Sequence, residues 1–168
     1  MKKIVFLLML IVAFGSCKSS KGTKSKSSKT TVIDRKNTSK SKADYIIDYA
    51  QQFKGVKYKW GGTTKKGMDC SGLVYTAFSA YDVILPRISR DMAKRGNKLK
   101  LKEVHKGDLL FFKTGKSRRN AINHVGLIVD IRDNDIKFIH STTSKGVIVS
   151  GLNETYWLNA FVEARRVL

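Results

Sequence analysis

Apolar positions follow a helical period in the first half of the domain-forming chain and a strand period in the second. Ile46, Ile47, Ala50 and Phe53 share one face at helical spacing. They follow Ser41-Lys42-Ala43-Asp44, a capping-box-like start with Asp in the Glu position, and precede Gly55, a helix terminator. Leu73, Val74, Ala77, Phe78 and Tyr81 repeat the pattern, and Asp69 stands where this second helix needs its N-cap. Between them, Val56 to Trp60 alternates and runs into Gly61-Gly62, which predicts a short extended piece entering a tight turn. Pro86 to Arg90 reads as a loop and Asp91 to Lys94 as a helical turn. Lys106-Gly107-Asp108 turns into a strand over Leu109 to Phe112, and a polar, basic loop runs from Thr114 to Asn123. Strand-like runs then dominate: His124 to Val129, Lys137 to His140, Val147 to Val149, and Phe161 to Val167. Leading helices and a following antiparallel meander predict an α+β domain, with the N-terminal helices packed on one face of an antiparallel β-sheet.

The first 42 residues stand outside this pattern. Lys2 and Lys3 precede an apolar run from Ile4 to Phe14 and the small Gly15 and Ser16, the layout of a signal peptide. The run is shorter than the about 20 residues of a comfortable membrane span. Cys17, directly after Phe14-Gly15-Ser16, resembles the lipidated cysteine of a bacterial lipobox. Lipid chains there would hold the protein on a membrane, each buried CH₂ contributing about 0.8 kcal/mol. Simple secretion with cleavage near Ser16 is the competing reading. From Lys18 to Lys42 the chain is Ser, Thr and Lys with almost nothing apolar, a composition that cannot offset its ordering entropy. The expected organisation is a signal peptide at 1–16, a lipidated, disordered tether at 17–42 and one domain at 43–168.

Charge narrows the partners. The chain carries 33 basic and 13 acidic residues, a formal net charge of +20. Lipid headgroups, cell-wall polymers or nucleic acid could answer it, and the export signal argues against nucleic acid. A solvated basic face without a ligand is the plain alternative.

Chemistry centres on Cys70, the first residue after the N-cap. Free N–H groups and the helix dipole favour a negative charge in a first turn, so a thiolate is expected there, below the usual cysteine pKa of about 8.5. The bland alternative is a buried cysteine acting as a small hydrophobe. A disulfide to Cys17 is not expected, because Cys17 borders the cleavage site across a flexible tail. A nucleophilic cysteine needs a base, and the base an orienting partner. Of three histidines, His105 lies in a Lys-rich stretch and reads as a surface residue. His124 opens one strand and His140 ends the next, so an antiparallel hairpin would make them neighbours. His140 would then orient His124 to accept the thiol proton. A three-ligand zinc site from Cys70, His124 and His140 is the rival, but no CxxC or HExxH accompanies them.

Several short motifs then stand in order: Tyr58-Lys59-Trp60-Gly61-Gly62, Asp69-Cys70-Ser71-Gly72-Leu73-Val74, Leu85-Pro86-Arg87, Gly107-Asp108-Leu109, His124-Val125-Gly126 and Phe138-Ile139-His140. Together they resemble the NlpC-type cell-wall peptidases of the NlpC and p-sixty superfamily, in particular small lipoprotein endopeptidases of bacterial outer membranes. The resemblance implies a papain-like α+β fold and a Cys-His-His triad of Cys70 as nucleophile, His124 as base and His140 as orienting member. It implies Tyr58 near the oxyanion region, and Asp69 and Ser71 where a peptide's amino end is contacted. The implied function is a cysteine endopeptidase cutting amide bonds in peptidoglycan stem peptides, of the D,L-endopeptidase class, without metal or cofactor. The Arg118-Arg119 loop would steer the acidic stem. A silent wall-binding lipoprotein, or an amidase or acyltransferase with the same triad, are the rivals. The expected protein is a monomer, lipid-anchored in the bacterial cell envelope on the periplasmic side of the outer membrane, and partnered by peptidoglycan peptide.

Overall fold

The structure, a computed structural model, describes residues 39–115 and 121–168. The expected signal peptide, Cys17, nearly all of the tether and the Arg118-Arg119 pair lie outside the described residues.

Helix α1 spans Lys42–Gln51 and starts with the capping box expected from sequence. Ser41 Oγ accepts the Asp44 N–H at 3.2 Å, and Asp44 Oδ2 accepts the Ser41 N–H at 3.0 Å. These bonds satisfy donors that a helix start otherwise leaves open. Ile46, Ile47 and Ala50 form its buried face, with Phe53 continuing it. The stretch around Tyr58 forms only an isolated bridge to Met68 instead of the expected extended piece. The loop after it folds as a tiny hairpin, β1 (Thr63–Thr64) with β2 (Gly67–Met68), which leads directly into α2 (Cys70–Ser79). The expected helical turn is α3, shifted to Ser89–Met92.

The main sheet is antiparallel and six-stranded among the described residues. Its strands are β3 (Asn97–Leu99), β4 (Leu109–Phe112), β5 (His124–Arg132), β6 (Asp135–Thr142), β7 (Gly146–Gly151) and β8 (Phe161–Arg166), ordered β3-β8-β4-β5-β6-β7. The meander expected from sequence is therefore β4 through β7. The last strand does not extend it; β8 crosses back to pair with β4 and β3. Leu109-Leu110-Phe111-Phe112 explains the centre of the sheet. All four are buried because alternate residues feed opposite apolar layers. Leu109 and Phe111 join Val125, Leu127 and Ile139 beneath α1 and α2. Leu110 and Phe112 join Ile128, Phe138 and Ala164 on the other side.

The N-terminal helices pack on one face, as expected, and the second layer covers the other. A short helix, α4 (Thr155–Ala160), interrupts the run of strands between β7 and β8 and lays Trp157 on the layer. Six residues are too few to show a helical apolar period, so the pattern conceals it. The α+β class and the helices leading the chain stand as expected.

Candidate active site

The start of α2 is built around one carboxylate. Asp69 holds extended backbone, and its Oδ1 accepts the Gly72 N–H at 2.6 Å, the N-cap bond expected from sequence. Oδ2 accepts the Gly61 N–H at 2.8 Å, which ties the preceding turn to the helix. Arg87 then grips the carboxylate with both arms, Nη1 to Oδ1 at 3.0 Å and Nη2 to Oδ2 at 2.9 Å. Nη1 also donates to Ser71 Oγ at 2.9 Å and Nη2 to the Gly62 carbonyl at 3.3 Å. Burial by itself would raise the Asp69 pKa. The Arg87 hydrogen bonds, the Gly72 N–H and the guanidinium charge outweigh burial and hold the carboxylate below its usual range. Glycine at 72 has a steric reason: a Cβ there would run into the Gly62 carbonyl oxygen and crowd Arg87.

Cys70 occupies the first helical position as a buried free thiol. The backbone of Val125, the residue that follows His124, favours the charged form of its sulfur. Here the structure departs from expectation. Burial pushes the thiol up to about 11, outweighing the Val125 backbone and the N–H groups at the helix start, and the nearby Asp69 charge adds to the rise. The resting group is a thiol, and it needs a base as it reacts.

The imidazole pair stands as the hairpin argument required. Strands β5 and β6 pair Leu127 with Ile139 and Ile128 with Phe138, which carries His124 and His140 onto the same face. His124 Nε2 and His140 Nδ1 are 2.9 Å apart, and His140 Nε2 lies 3.0 Å from Ser150 Oγ on β7. Trp157 stacks on His124 with ring centroids 5.3 Å apart and meets His140 edge-on at 4.5 Å. Burial under this roof pushes His124 down to about 4, and pushes His140 lower still with His124 opposing its charge. Both rings are neutral near pH 7. Because the two rings turn a nitrogen toward each other, they do not converge on one ion. Among the described residues no group of three His, Cys, Asp or Glu side chains is arranged to hold a metal. Gly126 also follows from packing, since a Cβ there would strike the Phe138 ring.

These parts share one cleft of about 1010 Å³. Tyr58, Asp69, Cys70, Ser71 and His124 all line it, and His140 lies behind His124, fully buried. Burial, followed by the charges of Cys70 and Asp69, raises the Tyr58 pKa. Asp69 and Ser71 face the cleft already engaged by Arg87. Sequence reasoning quoted Arg87 only as part of a motif and passed over Ser150 and Trp157. The place of Arg87 directly after the chain's single proline was a usable signal for it. For Ser150 and Trp157 there was none, because each meets the histidines only through the fold. His105 sits elsewhere, its Nδ1 3.0 Å from Arg166 Nη2.

The chain is similar to known proteins in sequence and in fold. The chain is 40% identical over 124 residues to the Murein DD-endopeptidase MepS/Murein LD-carboxypeptidase of Escherichia coli (strain K12), covering 73% of this chain and 62% of that protein. The chain thus spans under two thirds of that relative's length. It is 41% identical over 123 residues to the Probable endopeptidase NlpC of the same strain, covering 73% of this chain and 76% of that protein. A crystal structure of an NlpC/P60 family protein from Bacillus cereus superposes with a TM-score of 0.67 at 30% identity, over 75% of this chain and 40% of that one. The helix-borne cysteine and the strand-borne histidines both fall within residues 55–166, the stretch that matches the NlpC/P60 family as a whole, and the chain belongs to that family.

Proposed function

We propose that this protein is a cysteine endopeptidase that hydrolyses amide bonds in peptidoglycan stem peptides, of the D,L-endopeptidase class. The observation that carries the proposal is a buried thiol at a helix start sharing a cleft with His124, a neutral imidazole hydrogen-bonded to His140 behind it. In support, the two relatives from Escherichia coli are named as endopeptidases, one of them acting on murein.

Cys70 is the nucleophile. As its sulfur attacks the scissile carbonyl, the thiol proton passes to His124, whose Nδ1 is not engaged by His140. His140 holds the His124 ring in place. The carbonyl oxygen gathers negative charge and is met by N–H groups at the start of α2, with the Tyr58 hydroxyl beside it; one such donor is commonly worth about 2.7–4 kcal/mol of barrier. His124 returns its proton to the leaving amine, and water, deprotonated by the same ring, releases the acyl group from sulfur. Asp69 and Ser71 shape the wall of the substrate cleft.

The same reading places the protein in the bacterial envelope. A signal peptide at 1–16, lipid on Cys17 and a tether at 17–42 would hold the 43–168 domain at the periplasmic side of the outer membrane. Membrane fractionation of a Cys17→Ser variant tests the anchor, and release into the soluble fraction is expected.

The activity test is digestion of purified peptidoglycan by the chain from Ser39 onward, which keeps the Ser41 cap, beside a Cys70→Ser control. New peptide ends in the mass spectrum, from the unsubstituted chain alone, are expected. Sedimentation with the wall without cleavage would replace the peptidase by a binding lipoprotein. Cleavage of other amides or esters only would move the activity to an amidase or acyltransferase.

A further inference from the structure

A neutral imidazole has one N–H and one bare nitrogen, so a row of hydrogen-bonded imidazoles has only two self-consistent proton patterns. Here the row runs from His124 through His140 to Ser150, with contacts of 2.9 and 3.0 Å. In one pattern His140 donates from Nε2 to Ser150 Oγ, accepts at Nδ1 from His124 Nε2–H, and leaves His124 Nδ1 bare. In the other, Ser150 donates into the row, both rings reverse, and His124 Nδ1 carries a proton. Only the first leaves a base that can take a proton from Cys70.

We propose that Ser150 is a positioning residue for catalysis: as acceptor for His140 Nε2–H, it selects the tautomers that keep His124 Nδ1 free for the Cys70 proton. Three observations support this direction. Ser150 is 7% exposed and also lines the cleft, so its own O–H can turn toward water while its lone pair faces His140. His140 is fully buried, and Ser150 Oγ is the hydrogen-bond partner of its Nε2. Cys70 and His124 line the same cleft, and a thiol that must lose its proton there needs a bare ring nitrogen to take it. Strand geometry makes the contact possible. Register pairs Phe138 with Ser150 and His140 with Ile148, so Ser150 stands diagonal to His140 on the same face of adjacent strands.

The assignment rests on the reading of Cys70 and His124 as nucleophile and base, and its test separates the two. The full chain carrying Cys17→Ser is used without lipid, leaving Cys70 as its single thiol. Histidine ¹⁵N spectra near pH 7 should show both His124 and His140 protonated at Nε2 and bare at Nδ1. A proton on His124 Nδ1 would overturn the proposal without any activity assay, and without any variant having to fold. Ser150→Ala should populate the reversed tautomers and slow alkylation of Cys70 by iodoacetamide about tenfold, the order of one lost hydrogen bond. Ser150→Thr, which keeps the hydroxyl, should restore most of the rate. Equal alkylation rates in the Ala variant and the unsubstituted chain would also overturn the proposal. Expected tautomers and a slowed Ala variant, in a chain that leaves murein intact, would support Ser150 and refute the substrate.

Discussion

Arg87→Ala should destabilise the domain by about 2–3 kcal/mol and disorganise the start of α2. The size follows from what is lost and what remains. The substitution removes a two-armed, charge-assisted grip on Asp69 and the bonds to Ser71 and the Gly62 carbonyl. Breaking a fully buried ion pair costs about 3–5 kcal/mol. This pair is shallower, with the Arg87 side chain 33% exposed and Asp69 11%. Asp69 also keeps the N–H groups of Gly72 and Gly61 and the Ser71 hydroxyl, so it is not orphaned. Both facts lower the expected cost. Urea unfolding reads it, the midpoint falling by about 1–2 M for an m-value of about 1.5–2 kcal/mol/M. Acidity gives a second reading. The folded Asp69 carboxyl titrates below its unfolded value of about 3.9, so its stabilisation is complete above that pH and is lost as pH falls through the folded value. The gap between the unsubstituted chain and Arg87→Ala should therefore be widest at neutral pH and narrow below about pH 4. Arg87→Lys keeps the charge without the fork and should recover less than half of the gap. A difference under about 0.5 kcal/mol at pH 7, or one that does not change with pH, would refute the reasoning.

Gly72→Ala should cost about 1–3 kcal/mol in thermal or urea unfolding, because the Gly62 carbonyl occupies the new methyl's place; an unchanged midpoint would mean that the loop yields freely. Trp157→Leu keeps an apolar filler but opens the roof over the imidazoles, so the His124 and His140 pKa values, lowered chiefly by burial, should rise toward about 6.5 in an NMR titration. Values that stay low would assign the shift to something other than the roof. Acid should unfold the domain early. Both rings stay neutral in the fold down to their depressed values but charge in the unfolded chain below about pH 6.5, so unfolding takes up protons. Stability should drop by up to about 2–3 kcal/mol per pH unit between pH 6.5 and 4. A flat denaturant midpoint across that range would contradict the neutral pair.

Much of this protein was legible in local pattern. The capping box at Ser41, the Asp69 cap, the apolar face of α2 and strands β4 to β7 come from spacing over a few residues, where backbone hydrogen bonding and side-chain period act directly. The neighbourhood of His124 and His140 also followed from sequence, because a short hairpin brings the start of one strand beside the end of the next. What sequence alone determined is thus helices α1 and α2, strands β4 to β8, the position of Cys70 at a helix start, and a histidine pair on adjacent strands. Tertiary structure decided the rest. It sent β8 across to β4, because packing of whole layers, not chain order, selects a strand's partner. It brought Arg87 back to Asp69 across 18 positions and laid Trp157 over both imidazoles, contacts that no local period encodes. It also reversed the expected state of Cys70. The helix start favours a thiolate, but enclosure by α2 and the sheet takes the sulfur out of water, and that desolvation is a property of the packed molecule alone.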